Sequence, residues 1–390
     1  MRRVRLKEIG TFYSGLSGKS KSDFSEGNAL LVTYRNIFNN PVLNPAIKDT
    51  VVVGKNEKQN EVLWGDILIT GSSETPADAG MSSVVLFTPQ EKMYLNSFCF
   101  GFRLNDMNEA LPSYIGHLLR STSIRAAISK TAFGVTRFNV NRMRFADIEI
   151  PLPPLNIQKE IVSILDSFTS LIDKMKQEVE MRKKQMEYYR EKLMAPQKNW
   201  EIKTLGEIGT FTRGNGLQKS DFRVKGFPCV HYGQIHTYYN TCIYKTKSFC
   251  EEDLAKKLQK ASYGDLLIAT TSEDVKACCK AAVWFGAGDV AYSGDSFCYS
   301  HDQDPKYMAY LFQTEMFAKQ KQKAATGAKV IRVSGESMAS FSFAFPPLVQ
   351  QRQIASILDT FETYISKLEK MIELRQKQYE YYREKLLTFE

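Results

Sequence analysis

Leu155-Asn156-Ile157-Gln158-Lys159-Glu160-Ile161-Val162-Ser163-Ile164-Leu165-Asp166-Ser167-Phe168 decides the reading of this chain, because the chain contains it twice. The second copy carries Gln353-Ile354-Ala355-Ser356-Ile357-Leu358-Asp359-Thr360-Phe361, 193 positions later and without a gap. Both copies close alike, with Tyr188-Tyr189-Arg190-Glu191-Lys192-Leu193 and Tyr381-Tyr382-Arg383-Glu384-Lys385-Leu386. Prolines precede each: Pro151, Pro153 and Pro154 in one, Pro346 and Pro347 in the other.

Each copy reads as one long helix. In the first, Ile157, Ile161, Ile164, Phe168, Leu171, Met175, Val179, Arg182, Met186, Tyr189 and Leu193 follow at steps of three and four, the spacing of one helical face. Proline is tolerated at a helix start but not inside, so the entry is sharp. Some forty residues at 1.5 Å rise make a rod of roughly 60 Å. The second copy repeats the stripe with Ile354, Ile357, Phe361, Tyr364, Leu368, Ile372, Tyr379, Tyr382 and Leu386. Two matched stripes are buried most simply against each other.

The rods divide the chain into segments: a globular stretch at 1–150, a rod at 151–196, a second globular stretch at 197–345 and a second rod at 346–390. The globular stretches open alike, Leu6-Lys7-Glu8-Ile9-Gly10-Thr11-Phe12 against Leu205-Gly206-Glu207-Ile208-Gly209-Thr210-Phe211. Lys21-Ser22-Asp23-Phe24 matches Lys219-Ser220-Asp221-Phe222, and Trp64-Gly65-Asp66 matches Tyr263-Gly264-Asp265. The chain is a tandem repeat of a globular domain followed by a helix. Runs such as Val51–Val53, Asp66–Ile69, Ser83–Phe87 and Phe98–Phe102 have β character, and one helix is expected at Ser113–Ser129, with its counterpart at Lys306–Ala325. The expected domain is mixed α/β, an α+β arrangement that is mostly twisted sheet.

Composition narrows the function. Lysine and arginine outnumber acids 52 to 43, a net charge of +9, which favours a polyanionic partner, nucleic acid first. Seven scattered cysteines, an odd number with Cys278 and Cys279 adjacent, fit reduced thiols. No apolar run approaches the length of a membrane span and no signal-peptide core follows Met1, so a soluble cytoplasmic protein is expected.

No catalytic constellation is defensible. Gly18-Lys19-Ser20 ends like a phosphate-binding loop, but Tyr13 stands where the first glycine of that loop belongs. A turn with a phosphate-facing Lys19 is the better reading. Cys229, His231, His236 and Cys242 match no standard metal-ligand spacing. His117 and His301 read as structural.

Polar loops at equivalent places are the candidate DNA contacts. They comprise Lys19 and Lys21, Tyr34-Arg35-Asn36, Ser72-Ser73, and Arg137, Asn139 and Arg142 in the first domain. In the second they are Arg213, Lys219, Tyr232, Gln234, Thr271-Ser272, Lys329 and Arg332. Arginine and amide side chains read base edges, and lysine and arginine hold phosphates. The tips differ between the domains, so two different sequences would be read.

The domain–helix–domain–helix repeat, the Ile150-Pro151-Leu152-Pro153-Pro154-Leu155 entry, the Ile-Leu-Asp core and the Tyr-Arg-Glu-Lys-Leu ending together resemble the specificity subunit of a type I restriction–modification enzyme. The resemblance covers the whole chain. It implies two target recognition domains, each gripping half of a split DNA site. It also implies an antiparallel packing of the two helices as spacer. On physical grounds, two similar readers related by pseudo-twofold symmetry on a rigid coiled coil favour half-site centres about one helical turn apart for major-groove reading. Residues Ile161, Ile164, Phe168, Met175, Tyr189, Ile354, Ile357, Phe361, Leu368 and Tyr382 would serve helix pairing or partner docking. Two methyltransferase subunits would bring adenine-N6 chemistry and S-adenosylmethionine, and motor–nuclease subunits would bring ATP and Mg²⁺ chemistry. This chain would carry no cofactor or metal and catalyse nothing. The chain also lacks an Asn/Asp-Pro-Pro-Tyr/Phe tetrapeptide. Two other readings make different forecasts. A coiled-coil scaffold would show no sequence preference on DNA, and a single-chain DNA-modifying enzyme would be active alone.

Overall fold

A computed structural model describes residues 2–389. It divides into two compact units, Met1–Lys176 with Lys370–Glu390, and Gln177–Glu369. The long helices are Leu155–Leu193 and Leu348–Leu387, unbroken. Each helix therefore gives one part of its length to each unit.

In the first unit the main sheet is antiparallel, in the order Gly10–Ser14, Cys99–Leu104, Ile67–Thr70, Ser82–Val84. Ile67 pairs with Phe102 and Leu68 with Gly101. In the second unit Gly209–Arg213, Ser296–His301, Leu266–Ala269 and Lys280–Trp284 repeat that order, with Leu266 opposite Tyr299, and Cys242–Ile243 adds a fifth strand. A smaller sheet of three strands in the first unit and four in the second lies beside it in sequence. The chain enters each domain on a strand that pairs with the strand leading into the long helix: Arg2–Arg5 with Glu149–Leu152, and Glu201–Thr204 with Ser342–Phe345.

The expected single helices at Ser113–Ser129 and Lys306–Ala325 are each two helices. They run Pro112–Leu119 and Thr122–Ser129 in one unit, and Pro305–Leu311 and Glu315–Ala324 in the other. The cause is capping. Thr314 accepts a hydrogen bond from the Phe317 N–H, which starts a new helix, and the Ser121 hydroxyl donates to the Leu118 carbonyl. A carboxylate from a long helix then sits at each new N-terminus: Glu384 accepts from Thr122 N–H at 2.9 Å, and Glu191 from Glu315 N–H at 3.2 Å. A negative charge there also meets the positive end of the helix dipole.

Within each unit the helix segments run antiparallel. Phe168, near the start of one helix, stacks on Tyr382, near the end of the other, at 5.4 Å in the first unit. Tyr189 stacks on Phe361 at 5.6 Å in the second. Buried or half-buried residues recur at 158, 161, 165, 168, 172, 175, 179, 182, 186, 189 and 193, in alternating steps of three and four, with further half-buried residues flanking that line. That is the seven-residue seam of a coiled coil. The same steps recur from 351 to 386.

This corrects the expected stripe. Ile164 is 42% exposed while Leu165 is fully buried. Leu171, Ile357 and Tyr364 are likewise exposed, and Ile172, Leu358 and Ile365 take the seam. At 164–165, 171–172, 357–358 and 364–365 two adjacent apolar residues compete, and a strict 3.5-residue period selects the second. Ile161, Phe168, Met175, Tyr189, Ile354, Phe361, Leu368 and Tyr382 lie on the seam as expected. Domain core and seam are continuous: Ile161, Leu165, Ile172 and Tyr379 pack in one cluster with Phe100, Phe102 and Tyr114.

A buried glutamine fastens each domain to its own helix. Gln158 Oε1 accepts from the Leu111 N–H at 2.9 Å, and its amide donates to the carbonyls of Glu109 and Pro153. Gln351 accepts from the Asp304 N–H at 3.0 Å and donates to Gln303 and to the Pro346 carbonyl. His117 bridges Asp166 and Tyr379, and the matched Tyr310 hydroxyl lies 2.8 Å from Asp359 and 2.9 Å from Glu362. Both histidines singled out from sequence, His117 and His301, are largely buried side chains.

Candidate nucleic-acid interface

Two short ribbons gather the polar tips. In the first unit Ala132–Phe133 turns through Gly134 into Phe138–Val140, which pairs with Ser72–Ser73. In the second, Thr326 turns through Gly327 into Ile331–Arg332, which pairs with Thr271–Ser272. Both turn glycines have positive φ, +133° and +100°. A Cβ there would come within 2.0 Å of the Arg137 carbonyl oxygen, or 2.1 Å of that of Val330, so the tight turn requires glycine.

Strand alternation then sorts the side chains. Val140 and Val333 enter the core, whereas Arg137, Asn139 and Arg332 face out. Arg137 is the most constrained of these. Its Nε donates to the Ser72 hydroxyl at 3.0 Å, and its guanidinium lies 5.2 Å from the ring centre of exposed Phe98. Beside it is a cleft of about 530 Å³ lined by Tyr34, Phe38, Ser73, Glu74 and Thr136. Tyr34 and Phe38 stack at 5.7 Å along one wall. The cleft thus combines aromatic faces with a fixed fork of donors, the chemistry that meets planar bases. Arg142 donates to Ser14 at 2.8 Å over the ring of Phe100. Arg35 and Lys21 are exposed.

In the second unit Lys219, Lys329 and Arg332 are exposed. Arg213 donates to the Gly294 carbonyl, and Tyr232 sits between His231 and His236. Thr271 is buried and bonded to Asp295, and Ser272 is half-buried.

Three expected contacts have other duties. Lys19 is 8% exposed and donates to Glu57 and to the Val52 carbonyl at 2.7 Å, so its ammonium does not face phosphate. Its hydrogen bond, with those from the Gly54 N–H and Gln59, holds the Glu57 carboxyl down at about 2. The equivalent residue is buried Leu217, because Gly18 and Gly216, both at positive φ, are the matched turn. Asn36 closes its own loop through Asn40 and Asn44. Gln234 caps its helix by accepting from the His231 N–H and donating to Ser248. His231 accepts from the Gly233 N–H and His236 bonds the Thr271 carbonyl, so both serve local backbone.

Sequence reasoning also missed two cations. Arg125 donates to the carbonyls of Ala77, Ala79 and Gly80, and Lys321 to those of Lys276 and Cys278. Burial lowers the pKa of both. They pin the loop that follows the short ribbon strand in each unit, from different helical positions, so no matched residue signalled them.

The comparisons with known proteins show the family of the chain. The family profile described as the type I restriction modification DNA specificity domain matches residues 1–181 and again 197–376. This chain belongs to that family. Its function is DNA sequence recognition as a type I restriction–modification specificity subunit. It is 30% identical over 272 residues to a putative type I restriction enzyme specificity subunit of Haemophilus influenzae, covering 66% of this chain and 68% of that one. It is 28% identical over 254 residues to the EcoR124I/EcoR124II specificity subunit of Escherichia coli, covering 62% and 63%. Each match therefore spans about two thirds or less of the relative's length. The fold is shared with the S subunit of the type I system of M. genitalium, at TM-score 0.57 and 15% identity over 100% of this chain and 96% of that one. A chain from a structural study of type I complex assembly gives TM-score 0.60 at 14% identity, over 99% and 97%. Among the described residues no helix is long and apolar enough to cross a membrane.

Proposed function

We propose that the chain reads a bipartite, asymmetric DNA site, one half per unit, and directs partner subunits to it in the cytoplasm. The observation that carries this is the pair of ribbons on equivalent frames with different outward residues, Arg137 and Asn139 against Val330 and Arg332. Equal frames favour equal docking on a duplex, and unequal tips favour unequal half-sites. The excess of basic residues supplies sequence-blind, salt-dependent affinity for phosphates.

The chain itself contributes recognition and no catalysis in this reading. Two methyltransferase subunits supply adenine-N6 chemistry with S-adenosylmethionine, flipping the adenine from the stack, and motor–nuclease subunits supply ATP- and Mg²⁺-dependent cleavage. Exposed apolar residues along the helices, among them Ile164, Leu171, Val349, Ile357 and Leu374, support docking of those partners there. The test is to express the chain with its partner methyltransferase in a host without adenine methylation and map N6-methyladenine. A split, asymmetric motif absent from the methyltransferase-only control is expected. Methylation by the chain alone, or none from a soluble, associated complex, would refute the proposal.

A further inference from the structure

The ribbons correspond residue by residue in register. Asn139 lies opposite Ser72, and Arg332 lies opposite Thr271. Asn139 and Arg332 thus occupy one place in two copies of the same device. Each is exposed and is followed by a buried valine, Val140 or Val333, that fixes which way the strand faces. Each lies opposite a short, buried hydroxyl side chain on the partner strand, Ser72 or Thr271. Backbone bonds hold the strands: Val140 N–H donates to the Gly71 carbonyl at 2.9 Å, and Val333 N–H to the Thr270 carbonyl at 3.3 Å.

A two-stranded β-ribbon fits the major groove of B-form DNA. There, a side-chain amide matches the N6 donor and N7 acceptor of adenine, and a guanidinium matches the O6 and N7 acceptors of guanine. We infer that this shared ribbon position determines specificity, Asn139 reading an adenine in the half-site of the first unit and Arg332 a guanine in the half-site of the second. The inference rests on the reading above, that each unit serves one half-site. Arg137, two residues earlier on the same face, is tethered by Ser72 and Phe98, while its counterpart is Val330, so the position next to this one is read differently in the two units.

The experiment exchanges the two residues in the complete complex. The chain is co-expressed with its partner methyltransferase as wild type, N139R, R332N and N139A, and N6-methyladenine is mapped across the host genome. N139R is expected to change one base pair of one half-site from A·T to G·C, with a preference of roughly tenfold or more. R332N is expected to make the reverse change in the other half-site only. If N139R stops methylation altogether, N139A decides: one relaxed position with the other half-site intact supports the assignment. An N139A motif that is unchanged, or degraded in both halves, overturns it. A wild-type split motif that survives N139R unaltered overturns the assignment while leaving the half-site reading standing. A wild-type complex without a split motif overturns both.

Discussion

Gln158 and Gln351 each accept from one backbone N–H and donate twice, differing only in that one acceptor is the Glu109 carbonyl in the first unit and the Gln303 side chain in the second, whereas Arg137 and Val330, also matched in sequence order, share nothing chemically. The joints are buried and polar, so every donor and acceptor there needs a partner, and a change at one residue strands several others. The ribbon tips stand in water, where an unpaired group is solvated and a substitution costs the fold little. That is why the frame of this subunit repeats and its tips diverge. Where the joint does vary, it varies in compensated form: His117 meets Asp166 and Tyr379, and Tyr310 meets Asp359 and Glu362.

The strongest challenge to this equivalence is Gln158→Leu. It leaves the Leu111 N–H and two carbonyls without partners, and a loss of about 3–5 kcal/mol in denaturant unfolding is expected. Gln351→Leu should cost a similar amount. A loss under about 1 kcal/mol in either would break the claim that the glutamines are matched anchors.

The seam gives the next contrast. Leu165→Ala should cost about 3 kcal/mol, as a buried leucine truncation does. Ile164→Ala, one residue away, should stay within about 0.5 kcal/mol. Leu358→Ala and Ile357→Ala should repeat the pattern, and equal effects within either pair would contradict the 3.5-residue register.

At the tips the effect should be confined to one side. Arg137→Ala is expected to weaken binding by about 1–3 kcal/mol, to relax one half-site, and to leave the other unchanged in a competition assay of the complex. Equal loss at both half-sites would argue against separate readers.

The smallest expected difference is acid sensitivity peculiar to the first unit. Hydrogen bonds from Lys19 first, then from the Gly54 N–H and Gln59, lower the Glu57 pKa from 4.5 to about 2. A depressed carboxyl contributes stability that is complete above about 4.5 and is lost as pH falls towards about 2. Lys19→Leu, which copies Leu217, should remove that part of the acid response. An acid unfolding profile identical to wild type would show that the ion pair is idle.

Much of this was legible in the chain. The repeat, the two long helices and the positions of the polar loops follow from matched residues at a constant offset. Other features were not. Ile164 and Leu165 are equally apolar, so only the seven-residue seam separates them. Lys19 looked like a phosphate ligand until its partner Glu57 came alongside from 38 residues away. Arg125 and Lys321 stand at unmatched positions, so the alignment of the repeats hides their common task.

By itself the sequence determined the period of the helices and the duplication, because periodicity and repetition are properties of order along the chain. Only the tertiary structure decided which apolar neighbour is buried, which cation is already paired and which ribbon residues face out. Those depend on groups remote in sequence that meet when the strands pair, and no local pattern encodes the meeting.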